Sequence, residues 1–240
     1  EMKITLVHGQ NHKGSSYHIG RLLAEQFADS DIKEFFLPKD LEHFCTGCCK
    51  CISDEEKCPF YTGKRRIMEA IEGADLFIFT TPTYCMRASA PMKSFIDLTF
   101  TYWMSHKPRE CMFSKKAVII STAAGTGTRS AIKDIKNTLF YWGVPYIKEY
   151  GMAVQAMNWE QVSPEKKKKI SNNMVELSKT VENAKIRVGI KTKFMFSMMR
   201  IMQLKDWGSG TEEKEYWKKN GWLDTQRPWK SDKSRKFDNF

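Results

Sequence analysis

The chain has 240 residues, 41% of them hydrophobic and 28% charged, with a formal net charge of +11; this suits one substantial core plus an appendage rather than a string of domains. No apolar run approaches the roughly 20 residues that a bilayer-crossing helix needs, and Glu1-Met2-Lys3 leads straight into an apolar segment without a hydrophobic leader. Seven cysteines in that setting predict reduced thiols in a cytoplasm, where clustered cysteines are more often metal ligands or redox groups than disulfides.

Short β-branched runs alternate with helical stretches, the signature of a parallel sheet covered on both faces. Strands are predicted at 4–7, 32–36, 76–81, 117–121 and 147–154, and helices at 16–28, 64–72, 92–103 and 130–142, giving an α/β three-layer fold with a five-stranded parallel sheet. Ligands bind such sheets at the carboxyl ends of the strands where the winding reverses. The loops after the first, third and fourth predicted strands are therefore expected to meet at one site.

The first of these loops runs Gly9-Gln10-Asn11-His12-Lys13-Gly14-Ser15-Ser16-Tyr17-His18. Backbone N–H groups at a helix start, the helix dipole and the hydroxyls of Ser15, Ser16 and Tyr17 would converge on an anion. A nucleoside-triphosphate loop needs Lys where Ser15 stands, and a dinucleotide loop needs a further Gly soon after Gly9. The loop instead suits a single phosphate, such as that of flavin mononucleotide (FMN), with a plain solvated turn as the alternative.

Next comes Cys45-Thr46-Gly47-Cys48-Cys49-Lys50-Cys51, followed after six residues by Cys58. Cys45, Cys48, Cys51 and Cys58 make two CxxC steps plus a fourth thiolate, a spacing able to wrap four sulfurs around one small metal cluster. A structural zinc and free thiols stay open, and Cys49 reads as a bystander. Beyond the third strand lies Pro82-Thr83-Tyr84-Cys85-Met86 with Lys93, Phe95 and Asp97 on the following helix, and beyond the fourth Ala124-Gly125-Thr126-Gly127. Cys85 reads as a small apolar filler, His8 as a core histidine, Cys111 as an ordinary thiol, and Lys93–Asp97 as an i, i+4 ion pair.

Together these segments resemble the flavodoxin-fold, NAD(P)H-dependent FMN reductase superfamily, especially its iron-sulfur flavoprotein branch, over about residues 2 to 155. The resemblance implies a flavodoxin-like fold in which Gln10, His12, Ser15, Ser16, Tyr17 and His18 surround the FMN phosphate and ribityl chain. It also implies that Pro82, Thr83, Tyr84, Cys85 and Met86 line the flavin ring, and that Ala124, Gly125, Thr126 and Gly127 close its other edge. Gln10 and His12 replace the usual Ser and Arg, so the neutralising cation would be His12 or Lys13, or would be absent. By the same resemblance Cys45, Cys48, Cys51 and Cys58 would hold a [4Fe-4S] cluster, and the chemistry would be hydride transfer from NAD(P)H to FMN with no catalytic acid or base. Two readings compete: a pure electron carrier between proteins, and a zinc-stapled, non-redox binding module.

Past residue 155 the character changes. Ser163-Pro164 opens a helix whose stripe Ile170, Met174, Leu177, Val181, Ala184 and Val188 is expected to cover the sheet. A domain over 1–189 is then followed by a helical, aromatic-rich extension over 190–240, with a Met-rich run and Trp207, Trp217, Trp222 and Trp229. Residues 151–240 carry 19 Lys and Arg against 11 Asp and Glu. With no nucleic-acid module recognisable, the aromatics are expected to pack inward, on the domain or on a second subunit of a homodimer. The expected partners are a nicotinamide nucleotide and a ferredoxin-like protein, not nucleic acid or a membrane.

Overall fold

The structure is a computed structural model describing residues 1–207 and 210–230, so 208–209 and 231–240 of the expected extension lie outside the described residues. The elements run β1 (Met2–His8), α1 (Ser15–Ala24), β2 (Ser30–Phe36), α2 (Lys50–Ser53), α3 (Tyr61–Gly73), β3 (Leu76–Tyr84), β4 (Arg87–Ala88), α4 (Ala90–Leu98), β5 (Lys116–Ala123), α5 (Thr128–Tyr141), β6 (Tyr146–Ala153), α6 (Pro164–Glu182), α7 (Ile190–Leu204) and α8 (Thr211–Lys219). The parallel order is β2-β1-β3-β5-β6, with the two-residue β4 antiparallel to the end of β3. All five predicted strands are present, and the chain reverses its winding between β1 and β3.

The side-chain period of two divides the strands between two cores. Ile4 and Leu6 of β1, Leu76 and Ile78 of β3, and Val118 and Ile120 of β5 pack with Ile19, Leu23, Ile170 and Met174 of α1 and α6. Val7, Phe77, Phe79 and Ile119 face the opposite way, onto Ile67, Met92, Phe95 and Ile135 of α3, α4 and α5. Helices on both faces of one parallel sheet make the flavodoxin-like three-layer fold.

Three helices end earlier than their periodicity predicts, and side chains competing for backbone carbonyls accompany each ending. Gln26 donates to the Leu22 carbonyl two residues past α1. Thr99 donates to Phe95 and Ile96, turning the segment after α4 into a 3₁₀ turn over Phe100–Tyr102. Asn183 donates to Lys179 and closes α6, leaving Val188 to pack with the extension instead. Ser163 does cap α6, accepting from the Lys166 N–H at 3.3 Å.

The extension buries its aromatics on its own chain. Phe196, Met199, Trp217 and Trp222 pack with Met104 and Phe113 of the segment between α4 and β5. Tyr216 Oη donates to the Pro108 carbonyl at 2.6 Å and Trp217 Nε1 to the His106 carbonyl at 2.7 Å. His106 Nδ1 lies 2.6 Å from the buried Glu213. Of the two surfaces expected for the aromatic tail, segment 104–113 of the same chain supplies one.

Candidate functional site

Three loops converge at the carboxyl ends of β1, β3 and β5. Gly14 precedes α1 without any side chain capping the helix, whose first turn carries no acid, so its free N–H groups keep their anion-seeking character. Ser15 and Ser16 are mostly buried at that turn. His12 is exposed with its ring against Gly14, and Lys13 Nζ stands 5.4 Å over the Tyr17 ring. Gln10 is half-buried in the loop. His18 lies a turn further on, stacked on Trp159 at 5.1 Å; burial pushes its pKa down, aided by Lys13 and Lys167 and opposed by Glu160. His8 is the expected core histidine, 2.9 Å from Thr80 Oγ1 and 3.1 Å from Glu34. That hydrogen bond, together with Arg21, holds the Glu34 carboxyl below its usual range despite burial.

Pro82, Thr83, Tyr84, Cys85 and Met86 form a hairpin with Arg87 and Ala88. Cys85 and Met86 both take positive φ, 47° and 66°, as a two-residue primed turn demands. Two adjacent non-glycine residues in this region cost of order 1–3 kcal/mol each, and such strain persists only where surrounding contacts fix it. Those contacts are present: Arg87 pairs with Asp134 of α5, which also accepts from the Ala88 N–H at 3.2 Å, and Thr83 Oγ1 lies 3.0 Å from Ser121 Oγ. Tyr84, Cys85 and Met86 are left exposed at the tip. Cys85 is therefore not the buried filler expected from sequence.

The loops are also bound to each other. Ser89 Oγ donates to the Gly9 carbonyl at 2.6 Å, while Thr81 Oγ1 accepts from the Ser89 N–H at 3.0 Å. A Cβ on Gly9 would meet Ser89 Oγ at 2.7 Å, so only glycine lets the first loop approach the third. On the other side Gly127, at φ 101°, lies where a Cβ would stand 2.9 Å from both Met86 Sδ and Thr83 Cγ2. Ala124, Gly125 and Thr126 are exposed beside it. Nearly every predicted contact residue thus lies on one rim, with His18 turned to Trp159. Sequence reasoning missed Thr81, Ser89, Ser121 and Asp134: they bind other loop atoms, and no spacing rule marks such a role.

Cys45, Cys48, Cys51 and Cys58 line one cavity together with Phe60, Leu98 and Phe100, and Cys49 also touches it. Cys51 and Cys58 are buried; Cys45 and Cys48 are exposed. The Lys50 backbone N–H draws the Cys48 thiol pKa down, whereas burial pushes that of Cys51 up, opposed by the charge of Lys64. Lys64 is wholly buried, 3.3 Å from Glu55, yet its Nζ has no hydrogen-bond partner. Glu55 also pairs with Arg109, whose guanidinium lies 4.7 Å from the Tyr102 ring and 6.0 Å from the Tyr216 ring. This ionic chain joins the cysteine loop to the extension, whose α8 packs on α2. Among the described residues, no group of three or more His, Cys, Asp or Glu side chains is set to hold a single metal ion. Burial pushes the Cys111 thiol pKa up to about 11, so it departs from the ordinary thiol expected from sequence.

A reversing parallel sheet with three bound loops at its carboxyl edge is the architecture of the flavodoxin-like class of α/β proteins. The chain belongs to the NADPH-dependent FMN reductase family, whose sequence model matches residues 2–158. It is similar to an iron-sulfur flavoprotein of Archaeoglobus fulgidus, 29% identical over 103 residues, 42% of this chain and 44% of that protein; the match thus spans less than half of the relative's length. In fold it is similar to an NAD(P)H:quinone oxidoreductase from Methanothermobacter marburgensis (14% identity, TM-score 0.58, 77% of this chain and 99% of the other). It is likewise similar to an FMN-dependent NADH-azoreductase from Bacillus anthracis in complex with FMN (12% identity, TM-score 0.55, 73% and 99%).

Proposed function

We propose that the chain passes electrons from NAD(P)H through FMN to a small or protein acceptor, and that the three-loop rim is where FMN sits. The observation that carries this reading is the double closure of the rim, Ser89 on Gly9 and Met86 on Gly127, which holds an uncapped helix start and a strained hairpin at one edge of the sheet. The α1 N–H groups with Ser15 and Ser16 would take the phosphate, and His12 and Lys13 would supply the cation that offsets it. Gln10 and Tyr17 flank the ribityl path, with His18 held at its edge by Trp159. Pro82 to Met86 and Ala124 to Gly127 would enclose the ring from its two edges. When bound, FMN supplies the hydride- and electron-accepting chemistry, and the chain's own residues bind, orient and shield it without an acid or base side chain.

The same proposal gives Cys45, Cys48, Cys51 and Cys58 a [4Fe-4S] cluster. The support is a cavity lined by all four cysteines rather than a single convergence point, and a buried ammonium at Lys64 that is ion-paired with Glu55 yet has no hydrogen-bond partner. A thiolate-ligated cluster is anionic, and a buried cation beside it offsets that charge. When bound, the cluster supplies one-electron transfer. Exchange with a ferredoxin-like protein and a homodimeric assembly belong to this reading as well. Membership of a redox family weighs against the non-redox, zinc-stapled alternative.

Anaerobic rapid mixing with NADPH and with NADH tests the proposal. Loss of flavin absorbance on mixing, followed by loss of iron–sulfur absorbance, is expected. Flavin absorbance that only a reduced ferredoxin can bleach would favour the pure carrier, and none lost with any donor would refute both.

A further inference from the structure

Helix α7 is apolar on two opposite faces, and the docking of the extension uses one of them. Thr192, Phe196, Met199 and Gln203 turn inward and are buried. On the other side Ile190, Phe194, Met198, Ile201 and Leu204 recur at steps of three and four, so at 100° per residue they form one stripe. The stripe stays in water: Ile190 is 83% and Phe194 68% exposed, and Trp207, just past the helix end, is 59% exposed. Because the inner face is pinned by Gln203 donating to the Ser105 carbonyl and Arg200 to the Leu223 carbonyl, the helix cannot roll to hide it.

Charge decides what would cover this stripe. Lys185, Arg187, Lys191, Lys193 and Lys205 are all exposed along or beside it, and residues 183–205 contain no Asp or Glu. The adjacent acid, Asp206, is bound to Lys214 at 2.7 Å. A second copy of the chain meeting this face about a two-fold axis would set the same cations against one another with no acid between them. A surface of anionic lipid headgroups answers both features. The apolar stripe enters the headgroup–acyl boundary, lysines on its flanks meet the phosphates, and a tryptophan marks one end of the anchor. No described helix is long and apolar enough to cross a membrane, so the contact would be a helix lying in the plane.

We propose that the outer face of α7, from Ile190 to Leu204 with Trp207, docks the protein on anionic membrane surfaces. The test is flotation of the flavin-loaded full chain with vesicles of phosphatidylcholine mixed with phosphatidylglycerol, against vesicles of phosphatidylcholine alone. Both arms are repeated for Phe194→Glu/Ile201→Glu, and light scattering gives the oligomeric state of each protein. Both substituted side chains are solvent-exposed, so the variant should fold and keep its flavin spectrum. Expected are flotation of the wild type with the anionic vesicles only, weakening with salt, a loss of about tenfold or more in the variant, and one oligomeric state for both proteins. Wild type that does not float with anionic vesicles, or floats equally with neutral ones, overturns the proposal. So does a dimer that the double variant splits, which would assign the stripe to a second copy.

Discussion

Gly127 is where the loop after β5 and the hairpin hold each other, and Gly127→Ala tests that contact. Its φ of 101° is a region that residues with a Cβ rarely adopt, and the added methyl would stand 2.9 Å from Met86 Sδ and Thr83 Cγ2. The backbone strain costs about 1–2 kcal/mol. Met86 can move aside, but Thr83 is held by Ser121 and by its pairing with Ala88, so the strain cannot be relieved on both sides. A total near 2 kcal/mol lowers Tm by about 4–8 °C for a domain of this size. Displacing the hairpin also opens the groove, and FMN affinity, read by quenching of flavin fluorescence on titration, should fall about tenfold or more. Gly125→Ala is the control: its Cβ meets nothing within 4 Å and its φ is unremarkable, so Tm should not change. If Gly127→Ala matched Gly125→Ala in both Tm and FMN affinity, the closure argument would fail.

Ser89→Ala removes the hydroxyl bound to the Gly9 carbonyl in a buried setting, so it should cost about 1–3 kcal/mol by denaturant unfolding and weaken FMN binding; unchanged affinity would show that the first and third loops are positioned independently. Lys64→Met should lower iron and sulfide per chain after anaerobic reconstitution while FMN per chain stays constant, and Cys49→Ser should keep the iron that Cys48→Ser loses. Equal iron in Lys64→Met and wild type would remove the role given to that ammonium. Glu34, held below the usual carboxylate value of 4.5 chiefly by its bond to His8, contributes stability that is fully present above that pH and is lost as pH falls through its depressed folded value. Glu34→Gln should therefore be less stable than wild type by about 1 kcal/mol at neutral pH, with the gap closing in acid; a gap constant with pH would contradict the assignment.

The sheet was legible because its central strands are buried on both faces and read as short apolar runs, such as Leu76 to Phe79, while turn chemistry separates them. Helix ends were not, since Thr99 and Gln26 stop helices through side-chain bonds that compete locally with a continuing apolar period. The first loop could be read as a candidate anion seat from residue type alone, because Gly, Ser and a helix start together offer one. The hairpin could not: Cys85-Met86 lacks the Asn-Gly or Asp-Gly signal of a primed turn, and its geometry is imposed by Asp134, Ser121 and Gly127 from elsewhere in the chain. Similarly, the four cysteines announce themselves by spacing, whereas Lys64, Glu55 and Arg109 are scattered charges that only the fold assembles. The aromatic tail was read as packing inward, but periodicity does not say on which surface. That was decided by the Met104 to Phe113 segment, which carries no pattern of its own.

The central claim is that the groove between Gly9, the Cys85-Met86 turn and Gly127 holds FMN for reduction by a nicotinamide nucleotide. An anaerobic titration of the FMN-reconstituted, desalted protein with NADPH, followed by absorbance, tests it most directly. The account predicts one retained FMN per chain, bleached by NADPH, with both retention and bleaching diminished in Gly127→Ala. A protein that emerges from desalting without flavin, or whose bound flavin is indifferent to NADPH and NADH alike, would contradict it.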